Sequence, residues 1–90
     1  MPKILVPPTL RVLTQGNAEL CVEASTVMEV LVEVDKQYPG FKDRIIDGSG
    51  EVRRFVNLFV GSEDIRTLTR LHTPLKELDE VSVVPAIAGG

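Results

Sequence analysis

The chain has 90 residues, of which 43% are hydrophobic and 26% are charged, and these proportions are typical of one small globular domain. Its formal net charge of −3 argues against nucleic acid as a partner, because phosphate binding requires clustered Lys and Arg. The sequence shows no apolar run near the roughly 20 residues of a membrane span, no signal peptide and only one cysteine. We therefore expect a cytoplasmic protein without a membrane segment or an internal disulfide.

Two short β-rich segments open the chain. Residues 3–6 form the first, which Pro7-Pro8 stops, and residues 19–23 form the second, in which Leu20 and Val22 alternate with polar side chains. We expect the two segments to pair as an antiparallel hairpin. The residues predicted to face the core from this hairpin are Ile4, Val6, Leu20 and Val22.

An amphipathic helix follows. Ser25 or Thr26 is a natural N-cap, Glu29 stands at the capping-box position relative to Thr26, and Pro39-Gly40 ends the helix. Apolar residues recur at helical spacing between these signals, and a stripe of this kind packs into a core. The core residues predicted from the stripe and from one further short turn are Val27, Val30, Leu31, Val34, Tyr38, Phe41 and Ile45.

Residues 55–60 are the best-marked strand, and Gly61-Ser62 supplies a two-residue type II′ turn after it, because Gly stands first in the turn. Asn57 marks the wetter face of the strand, which leaves Phe55 and Phe59 on the outer side. Exposed Phe side chains indicate a contact surface, and partial cover by neighbouring side chains is an equally good interpretation. The core residues of this strand are Val56, Leu58 and Val60.

The remaining segments are shorter. We expect residues 63–66 to form a return strand and residues 70–76 to form a loop. The side chains of Leu75 and Leu78 are expected to pack beneath this loop. Residues 80–84 predict the last strand. In that strand Val81 and Val83 face inward, whereas Ser82 and Val84 face outward.

Two residue types that often carry chemistry occur once each. Cys21 lies on the polar face of its strand between two acidic residues, which raise a thiol pKa and do not activate it. His72 lies in a loop without a partner at metal-ligand spacing. We therefore expect no catalytic role for Cys21 and no metal ligand at His72.

The element order β-β-α-β-(β)-β predicts an α+β domain of the β-grasp (ubiquitin-like) type. One main helix crosses one face of a mixed sheet of four to five strands, and the first and last strands are central and parallel. We expect this domain to span residues 1–84 and a flexible tail to span residues 85–90.

The predicted tail has an unusual composition. Gly89-Gly90 has no side chains to pack and loses much conformational entropy on ordering, so it suits a thin strip of backbone that carries a carboxylate into a narrow channel. A frayed terminus is the alternative interpretation. Pro85 has no N–H and is expected to end the strand pairing. The residues of the tail are Pro85, Ala86, Ile87, Ala88, Gly89 and Gly90.

The whole chain resembles the ubiquitin-like sulfur carriers, the family that contains ThiS, MoaD and CysO, and is most similar to CysO-type carriers of cysteine biosynthesis. A Gly-Gly after the last strand of a β-grasp pattern is the specific part of this resemblance. The matching stretches are Val6-Pro7-Pro8-Thr9-Leu10-Arg11, Arg54-Phe55-Val56-Asn57-Leu58-Phe59-Val60, Glu63-Asp64-Ile65-Arg66 and Val84-Pro85-Ala86-Ile87-Ala88-Gly89-Gly90.

The resemblance implies a protein substrate and carrier, not an enzyme. An ATP-dependent adenylating enzyme of the E1/MoeB type would activate the Gly90 carboxylate, which a sulfur donor would convert into a thiocarboxylate. A PLP-dependent cysteine synthase would accept the sulfur, and a JAMM-type metallopeptidase would release the new cysteine. Two alternatives stay open: the small subunit of a molybdopterin synthase, and a ubiquitin-like modifier that forms isopeptide bonds.

A docking surface for such partners is expected beside the tail. The central strand and the last strand should be neighbours in a β-grasp sheet, which brings Phe59 and Val84 together on the outer face, with Phe55 as a further candidate. Ubiquitin-like proteins commonly meet their enzymes through that region of the sheet, so the resemblance supports this placement.

Overall fold

Residues 1–85 are described by a computed structural model, and residues 86–90 lie outside the described part of the chain. The elements alternate in the order that the sequence predicts, with short 3₁₀ turns between them. The strands and helices are β1 (Lys3–Leu5), β2 (Glu19–Cys21), α1 (Val27–Gln37), α2 (Phe41–Ile45), β3 (Val56–Val60), β4 (Glu63–Asp64) and β5 (Glu80–Pro85).

The strands form one five-stranded sheet in the order β2-β1-β5-β3-β4. β1 and β5 are parallel neighbours at its centre, and the pairs β1–β2, β3–β5 and β3–β4 are antiparallel. This topology is the mixed sheet with parallel terminal strands that the β-grasp prediction requires, so the predicted fold class is confirmed.

One face of the sheet packs against α1 and α2, and the strand alternation predicted from the sequence is confirmed there. Thr26 caps α1: its hydroxyl accepts a hydrogen bond from the Glu29 amide at 3.2 Å, while the Glu29 carboxylate accepts one from the Ser25 amide at 2.8 Å. The fully buried side chains of the core include Ile4, Val6, Val27, Val30, Leu31, Val34, Phe41, Ile45, Leu58 and Val81.

The turn between β3 and β4 has the predicted geometry. Gly61 has a φ of +61°, and Ser62 is not among the residues with positive φ, which is the combination that separates a type II′ turn from a type I′ turn. β4 is shorter than predicted, because the Asp64 carboxylate accepts the Arg66 amide at 2.9 Å and starts a 3₁₀ turn over Ile65–Thr67.

The predicted burial of Leu78 is wrong. Its side chain is 90% exposed, because a tight turn joins Lys76 to Asp79: the Lys76 amide donates to the Asp79 carboxylate at 2.7 Å, and the Asp79 amide donates back to the Lys76 carbonyl at 3.1 Å. Leu75 is half-buried against the core, as expected, and Leu71 is the residue of this region that joins the core cluster.

β5 continues through Pro85, opposite Val56, which is one residue beyond the predicted boundary at residue 84. The Gly61 amide donates a hydrogen bond to the Glu80 carbonyl at 2.9 Å. Counted from this pair, every second residue pair of β3 and β5 exchanges backbone hydrogen bonds, and the pairs between them do not. Pro85 falls in a position without such bonds, with its nitrogen directed away from β3. The missing N–H therefore removes no hydrogen bond to β3.

Candidate functional site: the outer face of the sheet and the tail exit

The outer face is the side of the sheet that α1 does not cover. Val84 lies opposite Asn57 and Ser82 lies opposite Phe59 in the register of β5 with β3. Side chains of directly paired residues share a face, so Phe59 and Val84 are diagonal neighbours on the outer side. Val84 is 42% exposed and Phe59 is half-buried. The structure thus brings together the two residues that the sequence placed in one patch.

β1 adds a third apolar residue to this face. Leu5 lies opposite Ser82 from the other side of β5, which makes Leu5, Ser82 and Phe59 one row across three strands. We call Leu5, Phe59 and Val84 the outer-face patch. Leu5 was not among the predicted site residues, although the alternation that turns Ile4 inward also turns Leu5 outward and could have indicated it.

Phe55 lies just outside β3, which begins at Val56 and not at residue 55 as predicted. The Val56 amide donates to the Arg53 carbonyl at 3.1 Å, so Phe55 belongs to a turn and strand alternation does not fix its direction. Its side chain is 50% exposed, and the Arg54 guanidinium lies 6.0 Å from the centre of its ring. Phe55 therefore stands at the end of the sheet from which the tail leaves.

Charged side chains surround the outer-face patch. The Lys3 ammonium lies 3.5 Å from the Glu19 carboxylate and 3.9 Å from that of Glu80. Asp64 lies opposite Phe59 and forms a 2.7 Å ion pair with Arg66. Hydrogen bonds from Arg66 lower the pKa of the Asp64 carboxyl, so it stays charged to a lower pH than an ordinary aspartate. An apolar centre with a charged rim is the composition of a protein docking surface.

Pro85 is the one tail residue that the structure describes. The predicted reactive residue, Gly90, lies outside the described residues, as do Ala86, Ile87, Ala88 and Gly89. The predicted flexibility of the tail and the reactivity of Gly90 stay predictions. What the structure contributes is the starting point: β5, held between β1 and β3, directs the chain out of the centre of the sheet.

Residues 1–85 hold neither a metal-ligand cluster nor a membrane-spanning helix. In that part of the chain no three His, Cys, Asp or Glu side chains are grouped so that they could hold a metal ion. Over the same residues no helix has the length and hydropathy needed to cross a bilayer. Cys21 is exposed on the outer face of β2, where the alternation placed it.

Comparison with known proteins identifies relatives over almost the full chain. The family model described as the ThiS family matches residues 4–90. The sulfur carrier protein CysO of Mycobacterium tuberculosis is 34% identical over 89 residues, which cover 97% of this chain and 96% of that protein. Small archaeal modifier protein 3 of Haloferax volcanii is 36% identical over 66 residues, which cover 73% of this chain and 71% of that protein.

The fold also matches solved structures. A chain in the crystal structure of the Amycolatopsis orientalis BexX/CysO complex superposes with a TM-score of 0.93 at 30% identity, and the match covers 100% of both chains. The similarity therefore includes the whole β-grasp domain and does not rest on one motif.

Proposed function

Because the chain belongs to the ThiS family, we propose that it is a sulfur carrier whose residue Gly90 is adenylated and then converted into a thiocarboxylate. The observation that carries this proposal is the extent of the similarity: the family match reaches residue 90, and 96% of the length of M. tuberculosis CysO is covered. The protein is then a substrate of enzymes and not an enzyme itself.

The chemistry requires only an accessible glycyl carboxylate. A carboxylate oxygen of Gly90 attacks the α-phosphorus of ATP on an activating enzyme of the E1/MoeB type, and pyrophosphate leaves. A sulfur donor at the oxidation level of sulfide then attacks the carboxyl carbon, the bond to the AMP oxygen breaks, and a thiocarboxylate remains. ATP is a reactant of the partner enzyme in this scheme, and the carrier itself binds no cofactor.

Cysteine biosynthesis is the pathway that we propose for the sulfur, on the basis of the similarity to CysO. The thiocarboxylate sulfur would attack an aminoacrylate held by a PLP-dependent cysteine synthase, which leaves cysteine joined to Gly90 as a thioester. The cysteine amine would then attack the thioester carbonyl and displace the sulfur, which gives an amide bond. A metallopeptidase of the JAMM type would hydrolyse that bond and so release the new cysteine and the Gly90 carboxylate. Each of these enzymes has to hold the tail, and so has to dock near the point where β5 directs it outward.

The outer-face patch is our proposed docking surface for the activating enzyme. Leu5, Phe59 and Val84 lie on β1, β3 and β5, of which β5 leads into the tail, and a charged rim surrounds them. Aromatic residues in the centre of such surfaces contribute much of the binding energy, which makes Phe59 the expected main contact.

Intact-mass spectrometry tests the sulfur-carrier proposal. The purified chain is incubated with an activating enzyme of this type, Mg-ATP and sulfide, and its mass should rise by the difference between sulfur and oxygen. A variant without Gly90 is the control and should keep its mass. The proposal is wrong if the full chain never gains sulfur, or if the shortened variant gains it equally well.

A ubiquitin-like modifier is the second candidate, which the similarity to small archaeal modifier protein 3 favours. The same acyl-adenylate would then be attacked by a lysine amine of a target protein, with release of AMP and formation of an isopeptide bond. Expression of a tagged chain in its native host distinguishes the two functions. Covalent conjugates that disappear on removal of Gly90 would support modification, whereas a carrier of sulfur alone yields only the free chain.

A further inference from the structure

A groove lies on the opposite side of β3 from β5. It has a volume of about 360 Å³ and is bounded by residues 50–54 and by residues 64–72. Its lining combines buried apolar side chains with a rim of four arginines and one histidine. We call it the basic groove, and define it by Leu58, Ile65 and Leu71 at its base and by Arg53, Arg54, Arg66, Arg70 and His72 around it.

Positive charge is concentrated here in a chain that is acidic as a whole. Four of the six arginines and the one histidine line the groove. Residues 42–72 contain six of the ten Lys and Arg residues but five of the thirteen Asp and Glu residues. The rest of the chain therefore carries the negative charge, and an acidic molecule is repelled less on this side than elsewhere.

Three of the four arginines form no ion pair among residues 1–85, although Arg53 is near enough to Asp47 for its charge to act on that carboxylate. Arg66 is paired with Asp64, whereas Arg53, Arg54 and Arg70 form no ion pair in this part of the chain. Arg53 donates from Nε to the Asp43 carbonyl at 2.8 Å, which anchors its side chain and leaves its terminal nitrogens available. Guanidinium groups of this kind pair with carboxylates in a two-pronged geometry.

The groove also follows an open strand edge. β4 pairs only with Phe59 and Val60, so the edge of β3 from Val56 to Leu58 has no strand partner in the described structure. Asn57 and Phe59 direct their backbone groups to β5, whereas those of Leu58 point away from β5 into the covered base of the groove, where the whole residue is 1% exposed. A ligand in the groove therefore meets the side chains of its rim, and not the backbone of β3.

Arg70 holds an unusual backbone conformation within this groove. Its φ of +54° lies in the left-handed region, which glycine adopts far more readily than arginine. The chain has arginine at this position although glycine would remove the strain. A strained residue at the rim of a cavity is the kind of outlier from which function is inferred.

We propose that the basic groove is a second docking site, which binds an extended acidic segment of a protein partner between its arginines. The arginines pair with carboxylates of the segment, and an apolar side chain between those carboxylates contacts Val52 and Val56, the half-buried apolar residues of the lining. Glu51 and Asp64 also line the groove, and Asp64 is paired with Arg66, so Arg53, Arg54 and Arg70 are the expected partners of the segment's carboxylates.

The position of the groove indicates which partner carries the segment. Val56 lines the groove and lies opposite Pro85, so the groove opens where the tail leaves the sheet. An enzyme that holds the tail lies over this opening. In this one respect the inference rests on the proposed function, whereas binding of the segment itself does not require Gly90.

NMR titration of the ¹⁵N-labelled chain tests the inference with a defined probe, the capped peptide DELEVD. The amides of Arg54, Leu58 and Arg70 should shift in a saturable manner, and the uncharged counterpart NQLQVN should leave them in place. The same shifts should occur in a variant without Gly89 and Gly90. This arm separates the inference from the sulfur-carrier proposal, which fails or holds on the mass measurement alone.

Charge reversal provides the matched control. Arg54→Glu should weaken binding of the peptide by about tenfold, because it replaces an attractive pair with a repulsive one. Arg44→Glu makes the same change in net charge on an exposed residue outside the groove, and its effect should stay within about twofold. Thermal melts of both variants confirm that they are folded.

Three results would overturn the inference. The first is the absence of shifts at millimolar peptide. The second is an equal loss of binding for Arg54→Glu and Arg44→Glu, which would show that net charge alone attracts the peptide. The third is a saturable response of the same amides to pyrophosphate but not to the peptide, which would assign the groove to a phosphate-bearing ligand.

Discussion

Phe59 shows how a single position serves both the sheet and its proposed partner. Its ring lies on the outer face, so it is not part of the core that α1 covers, but neighbouring strands leave it only half-buried. The sequence supported exposure and partial cover equally, and the structure shows partial cover. Alternation determines the face of a strand residue, whereas its exposure depends on cross-strand neighbours such as Ser82 that are distant in sequence.

Phe59→Ala should therefore have two separate effects. We expect a loss of about 1 kcal/mol in the free energy of unfolding, because the ring is half-buried and not enclosed. Binding to the activating enzyme should weaken by about 1–3 kcal/mol, the range of a central aromatic contact. Denaturation curves and titration calorimetry measure the two. Leu78→Ala, at an exposed site in the turn before β5, is the control and should change neither. A loss of stability near 4 kcal/mol would instead mean that the ring belongs to the core.

The backbone strain at Arg70 can be tested by measuring the stability of substituted variants. Arg70→Gly should raise the free energy of unfolding by up to about 1 kcal/mol, because glycine adopts the left-handed conformation without the steric cost of a side chain. Arg70→Ala removes the same charge and keeps the strain, so it should not stabilise the protein. Gln15→Gly relieves a similar φ of +55° far from the groove and should act like Arg70→Gly. Chemical denaturation measures the free energy of unfolding of each variant. An equal change for Arg70→Gly and Arg70→Ala would contradict the strain argument.

Elements with a clear period were predicted well, and elements set by local side-chain bonds were not. The stripe of α1 and the alternation of β3 and β5 follow from apolar residues at fixed spacing, so the sequence alone shows them. The early end of β4 and the exposed turn at Leu78 depend on Asp64 and Asp79 accepting backbone amides, which no period reveals. The basic groove joins residues 50–54 to residues 64–72 across β3, and such proximity requires the fold.

The capping box of α1 leads to a prediction about the stability of a single element. Thr26→Ala should lower the free energy of unfolding by about 1 kcal/mol, because the Glu29 amide then loses the hydroxyl that accepts its hydrogen bond at 3.2 Å. Thr26→Ser keeps that acceptor and should stay close to the wild type. Thr9→Ala, at an exposed position outside α1, controls for loss of a threonine in general. Urea denaturation of the four proteins should therefore give two groups, with Thr26→Ala alone in the less stable one.

The whole molecule places its two proposed contact surfaces on either side of the tail exit. The outer-face patch lies on β1, β5 and β3, and the basic groove lies along the far edge of β3, next to Val56 opposite Pro85. One patch is apolar with a charged rim, and the other is cationic with an apolar base. A partner that contacts both would approach from the end of the sheet where β5 leaves, which is the direction from which a channel has to receive the tail.

Gly89→Ala tests the channel directly. The core of the described chain is closed by side chains from Ile4 to Val83, so one added methyl group at residue 89 should change the free energy of unfolding by less than about 0.5 kcal/mol. In a channel that fits bare backbone, the same methyl group displaces the Gly90 carboxylate from its line of attack on ATP, and small displacements of reacting atoms slow a reaction by large factors. We therefore expect adenylation, measured by the release of pyrophosphate, to slow by about a hundredfold. The thermal melt should stay unchanged. Ala88→Gly is the matched control: it removes a methyl group from the neighbouring residue and should leave the rate within about twofold, because a narrower tail still fits the channel. If Gly89→Ala is adenylated at the wild-type rate, the tail is not held in a channel that excludes side chains, and the two glycines would need another explanation.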